Sequence, residues 1–181
     1  MNEVAEQVTD QEVKEHIAQV FPILIYPNPI LHEVSEPVAE VDQEIKTLIH
    51  NLFITMYAEG GVGLSAIQCG IKKRVFVMDV SNSGEKRKAF VNPTILSYKN
   101  HDRFQEGCLS FPDIFAYVKR PTEITVSALN ENGEQVIMEL SGIEAICFQH
   151  ELDHLNGVTF YDHLSPLKKS MLKKKIRALS K

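Results

Sequence analysis

His150, Glu151 and His154, in the run Gln149-His-Glu-Leu-Asp-His154, combine residue types and spacing that could do chemistry. A helix completes a turn every 3.6 residues, so two histidines four apart project from one face. Two imidazoles so placed can hold one metal ion, and a glutamate beside them can move protons for a water at that ion. The chemistry is metal-assisted hydrolysis. Such a pattern also arises by chance on solvated helices. Here Ile146, Cys147 and Phe148 fill the preceding turn, which predicts a buried helix, and buried histidines beside a carboxylate need a compensating partner. Ile143 and Cys147, seven and three residues before His150, continue the same face as an apolar strip adjoining the metal edge.

The helix that must carry these groups is bounded at both ends. Ser141 with Glu144 predicts a capping box, and Asn156-Gly157 supplies a left-handed stop. Upstream, Asp42 is the expected cap of an amphipathic helix in which Ile45, Leu48, Ile49, Leu52, Phe53 and Met56 share a face, ended by Gly60-Gly61. Four prolines between Phe21 and Val38 keep that segment extended or turning. Arg74–Val80, Lys88–Asn92 and Thr94–Tyr98 read as strands, with Asn82-Ser83-Gly84 as a turn. Thr122–Leu129 and Gln135–Leu140 read as a hairpin joined through Asn132-Gly133. Ser165-Pro166 opens a last helix, with Leu167, Met171, Leu172 and Ile176 predicted to dock while its lysines face water. Gln11–Val20 is expected to form a short helix without an assigned role. The expected fold is α+β: antiparallel strands packed around a central metal-binding helix, with an N-terminal amphipathic helix and a C-terminal helix.

The 181 residues suit one domain spanning 1–181, with residues 1–20 as an extension and 165–181 as a basic tail. The net charge of −5 conceals an asymmetry, because 165–181 hold seven basic residues and none of the 24 acidic ones. Three cysteines without paired spacing argue against a disulfide framework and for a reducing compartment. The acidic N-terminal stretch resembles neither a signal nor a transit peptide, and no apolar run reaches membrane-spanning length. A cytoplasmic monomer without membrane contact is the expectation.

A hydrolytic metal site needs a third protein ligand and an open position. The two common continuations of this motif place that ligand downstream. One requires a histidine where Phe160 stands, and the other a later glutamate, of which none follows Glu151. Asp162 and His163 match neither spacing, so the third ligand should come from upstream, where Cys108, between glycine and leucine in a non-helical stretch, is the strongest candidate. Most lone cysteines are simply small core residues. The glycine-rich run Gly61–Gln68 is, taken alone, a tight loop rather than a phosphate cradle, since it lacks the lysine and the preceding strand.

Taken together, Gly61-Val-Gly-Leu-Ser-Ala-Ile-Gln68, Glu106-Gly-Cys-Leu-Ser110 and Gln149-His-Glu-Leu-Asp-His-Leu-Asn-Gly157 resemble the three signature motifs of the bacterial peptide deformylases, in the family's order. The resemblance runs from about Leu24 to the end and is strongest to the subgroup with a C-terminal helix. Ser65 stands where the family usually has alanine. Phe115 falls where many relatives carry an arginine, so substrate contacts to that arginine do not carry over.

The resemblance implies hydrolysis of the N-formyl group of formylmethionyl nascent peptides, with release of formate. It implies Cys108, His150 and His154 as ligands of one divalent metal, Fe2+ in the cell and replaceable by Zn2+, Ni2+ or Co2+. Glu151 would take a proton from the attacking water and return it to the leaving amine. The Gln68 amide and the Leu109 backbone N–H would face the developing oxyanion. Gly63 would offer its backbone to an extended peptide, with Val62, Ile143 and Cys147 lining the methionine pocket. Asp153 and Glu106 are read as supports of the ligands rather than catalysts. The alternatives are another metallopeptidase, or a binding protein with a structural metal, which would need four ligands. Because the ribosome presents such a substrate, the basic tail is expected to dock on ribosomal RNA.

Overall fold

A computed structural model describes residues 18–81 and 83–179. Most of the helix expected over Gln11–Val20, together with Asn82, lies outside them, and Ala18–Val20 is irregular.

The first helix, α1 (Gln43–Ala58), starts where Asp42 Oδ1 accepts the Ile45 N–H at 2.9 Å and ends before Gly60, whose φ is 70°. Its apolar face is buried as the periodicity requires, and each large side chain there contributes about 2 kcal/mol. A short strand, β1 (Gly63–Ser65), and a 3-10 turn (Ala66–Cys69) follow. The strand β2 (Val75–Met78) is shorter than expected, and all four of its residues are buried. Successive strand side chains point to opposite faces. Val75 and Val77 join the cluster under α1, while Phe76 and Met78 join the one under α2 (Gly142–Leu155). A strand between two helices has no solvent face, which is why its sequence does not alternate.

Lys88–Asn92 and Thr94–Tyr98 are one strand, β3 (Lys88–Lys99), with a register break between Val91 and Thr94. Asn92, at φ 51°, accepts the Val38 N–H at 2.9 Å and donates to the Val38 carbonyl at 2.7 Å. The Asn92-Pro93 pair is thus a bulge tied to the N-terminal segment, not a gap between strands. The expected hairpin is β6 (Glu123–Leu129) and β7 (Gln135–Ser141), with Gly133 at φ 82° in the turn. These form a five-stranded antiparallel sheet in the order β1-β2-β3-β6-β7. Separately, β4 (Asp102–Cys108) and β5 (Phe111–Arg120) make a two-stranded ribbon.

α2 departs from its expected start. Ser141 makes no side-chain cap bond, and Glu144 instead pairs with Lys88. The helix is anchored by the Gly142 N–H on the Thr122 carbonyl at 2.9 Å, so the sheet replaces the capping box. Its end is as read. Gly157 has φ 72°, and a Cβ there would meet the His32 carbonyl oxygen at 2.5 Å, so both conformation and space require glycine.

The last helix, α3 (Pro166–Leu179), docks a different stripe from the one expected. Leu167 and Met171 are exposed, while Leu172, Ile176 and Leu179 pack against Phe111, Ile114, Val118, Phe160 and Leu164. The helix meets the ribbon with its second half, so the inward phase is set by Leu172, Ile176 and Leu179. No helix among the described residues is long and apolar enough to cross a membrane.

Candidate metal centre

Three elements bring the reactive groups together. α2 supplies His150, Glu151 and His154, all buried. Cys108 is the last residue of β4, facing Phe111 across a tight turn into β5. β1 and the 3-10 turn after it supply Gly63 and Gln68.

Cys108 Sγ and a ring nitrogen from each of His150 and His154 lie within 4.8 Å of one another. Cys108 Sγ and His154 Nε2 are 3.3 Å apart, the separation expected of two ligand atoms each about 2.0–2.3 Å from one metal ion. His150 donates through Nδ1 to Glu106 Oε2 at 2.9 Å, which leaves Nε2 as the free nitrogen. Burial holds His154 well below the usual imidazole range, so it is neutral and its lone pair is available. One thiol and two imidazoles, brought together in the interior, fit a divalent transition metal. Cys147 is different in kind: burial first, then Glu151, pushes its thiol up, so it is an inert wall.

Glu151 lies beside these groups. Burial pushes its carboxyl up to about 7, and Oε2 is buried without a hydrogen-bond partner. A buried acceptor left open in this way is placed to receive a proton from something that enters the site. Gln68 is held in one orientation. Its Oε1 accepts from the Ser65 N–H at 3.0 Å and the Ser65 hydroxyl at 2.8 Å, so its Nε2 faces Cys108 Sγ at 3.4 Å and Ser110 Oγ at 3.2 Å.

The groups open onto a cavity of about 600 Å³ whose lining includes Val62, Gly63, Gln68, Leu109, Ile143 and Cys147. Glu106 and Glu151 also line this cavity, Cys108, His150 and His154 form the cluster at its floor, and Asp153 stands outside both. Ile143 and Val62 stand at its rim, 57% and 41% exposed. β1 is the edge strand of its sheet, and a Cβ at Gly63 would meet Glu151 Oε1 at 2.5 Å and Cys147 Sγ at 2.8 Å. Glycine is thus the residue that lets this edge lie against α2. Phe115 also lines the cavity, and a Cβ on Gly107 would meet its ring carbon Cε1 at 2.6 Å. The Phe115 ring thus packs against the Gly107 backbone beside Cys108.

Arg120 escaped the sequence reading. It is buried, and its Nε and Nη2 grip Glu106 at 2.6 and 2.9 Å while Nη1 reaches Asp153 Oδ2 at 2.7 Å. Burial alone would raise the Glu106 carboxyl, but the bonds from His150 and Arg120 outweigh it and hold it at about 2. A lone arginine after an apolar stretch gives no sign of this. Only the ribbon, which curls Arg120 back onto Glu106, shows it.

A family model described as Polypeptide deformylase matches residues 20–170. A peptide deformylase from Phenylobacterium zucineum is 46% identical over 162 residues, covering 88% of this chain and 96% of its own. One from Pelagibacter ubique is 47% identical over 158 residues, covering 85% and 91%. Among solved structures, a peptide deformylase from Legionella pneumophila superposes with a TM-score of 0.86 at 38% identity, covering 90% of this chain and 96% of its own. One from Ehrlichia chaffeensis, in complex with actinonin, gives 0.82 at 37% identity, covering 88% and 97%.

Proposed function

The chain belongs to the polypeptide deformylase family, and we infer from that membership and from its buried cluster how it acts. It is a metal-dependent hydrolase that removes the N-formyl group from formylmethionyl nascent peptides and releases formate. The observation that supports the assignment of roles is the convergence of Cys108, His150 and His154 within 4.8 Å beside Glu151.

Cys108, His150 and His154 hold the ion, which when bound supplies Lewis-acid activation of a water and of the formyl oxygen. Glu151 takes a proton as the water adds to the formyl carbon, then returns it to the amine nitrogen as the C–N bond breaks. Gln68 Nε2 and the Leu109 N–H donate to the oxygen that gains charge. The peptide adds as a strand along the edge at Gly63, with its methionine side chain among Val62, Ile143 and Cys147. A thiolate with two imidazoles suits Fe2+, and equally Zn2+, Ni2+ or Co2+. The deciding assay is formate release from a formylmethionyl peptide under anaerobic conditions. Cleavage of unformylated peptides without formate release would overturn the assignment.

The same reading extends to where the protein works. It acts as one domain and as a monomer in the cytoplasm, a reducing compartment that suits three cysteines without a disulfide. α3 turns Lys173, Lys174, Lys175 and Arg177 to solvent, a surface suited to ribosomal RNA. Changing these four to Glu should abolish cosedimentation with ribosomes, and binding by the intact protein should weaken steeply with salt.

A further inference from the structure

The hydrogen bonds that begin at His150 do not stop at Glu106. Glu106 is gripped by two nitrogens of Arg120, and Arg120 Nη1 reaches Asp153 Oδ2 at 2.7 Å. The same Asp153 oxygen lies 2.7 Å from His163 Nε2. Five groups from β4, β5, α2 and the segment after it therefore run in line from a buried ligand to the surface. The inner members, Glu106 and Arg120, are 6% and 4% exposed, while the His163 side chain is 38% exposed.

We propose that His163 is the outer positioning residue of the metal centre, fixing Asp153 and, through Arg120 and Glu106, the orientation of the His150 ring. The proposal rests on the reading of Cys108, His150 and His154 as metal ligands. Its physical basis is the number of donors that meet at one carboxylate oxygen. Asp153 Oδ2 takes two, from Arg120 and His163, which together stop the carboxylate turning toward water. Held there, it anchors the one guanidinium nitrogen that Glu106 does not use. The planar fork then has a single orientation, and so does the Glu106 carboxylate that receives His150 Nδ1. An imidazole that cannot rotate keeps its other nitrogen aimed at the ion, which slows the ion's escape. Removing Arg120 would leave Glu106 buried with only the His150 bond and would destabilise the region strongly, so the informative position is the exposed end.

The experiment measures metal retention. Cobalt-loaded protein is challenged with excess chelator, and ion loss is followed by the cobalt absorption bands. His163→Phe, which keeps a ring but cannot donate, should release the ion about 3–10 times faster, a fraction of the 10–100-fold usual for groups bonded directly to a ligand. His163→Gln, which restores an amide donor, should return release toward the native rate. The metal-free proteins should melt together. Native release from His163→Phe, or faster release with lowered melting that His163→Gln fails to reverse, overturns the proposal. If Cys108→Ser holds cobalt as firmly as the native chain, the ligand reading itself falls, and the proposal with it.

Discussion

The hydroxyl of Ser65 lies 2.8 Å from Gln68 Oε1, and this bond with the Ser65 N–H decides which way the Gln68 amide faces. Gln68→Glu keeps an acceptor for Ser65 but replaces the outward N–H donor with oxygen. Formate release should fall by about 10²-fold or more, the scale for loss of one oxyanion donor. Ser65→Ala retains the backbone donor and should cost tenfold or less, as expected for one neutral hydrogen bond. Equal losses in the two variants would show that Gln68 acts only through its packing.

Cys108→Ser tests the ligand set. A serine hydroxyl stays protonated where a thiol ionises, so metal content measured by elemental analysis should drop well below one ion per chain, with activity falling in parallel.

Glu151→Gln preserves shape and removes the proton acceptor. The variant should keep its metal and lose at least ~10²-fold in turnover. Turnover near the native value, with metal retained, would make Glu151 a bystander.

Asp79, whose N–H bonds the Val62 carbonyl at 2.9 Å, gives a pH-dependent term in stability. Burial would raise its carboxyl, but hydrogen bonds from Ser81, Tyr57 and the Gly84 N–H prevail and lower it from 3.8 to about 2. The folded state therefore binds this proton more weakly than the unfolded chain. The stabilisation is complete above the unfolded value of 3.8 and disappears as pH falls through about 2. Asp79→Asn should cost about 1–3 kcal/mol in urea unfolding at pH 7, with the gap closing as the pH approaches 2.

What could be read from the sequence depended on how local each signal was. α1 is legible from its period and both its ends, α2 from its apolar turn and its Gly157 stop but not from its start, and His150, Glu151 and His154 lie within five consecutive residues. Cys108 followed by elimination. Gln68, Gly63 and Leu109 came only from the likeness to a family, because nothing in a glycine-rich run says what it lies against. The β4–β5 ribbon was missed, since its exposed and buried positions follow a curl rather than an alternation. Leu167 and Met171 were misplaced because α3 has apolar residues on two sides and only the ribbon selects between them. The links from Arg120 to Glu106 and Asp153 span 14 and 33 positions, beyond any local pattern.

Phe148 lies on α2 two residues before His150, with its ring edge-on to Phe76 and Phe90 at centroid distances of 5.1 and 5.0 Å. Those two rings tilt against each other at 5.0 Å. Three interlocked aromatics lie beneath the helix and leave it little room to roll or slide. Two ligands thus ride on a helix whose place is set by this packing together with its polar anchors at Gly142 and Glu144. Small zinc-organised domains build their fold around the ion, whereas here an aromatic cluster supports the ligand-bearing helix. With the helix held from below, exchanging one divalent ion for another should change the melting of the protein far less than it would in a domain organised by its ion.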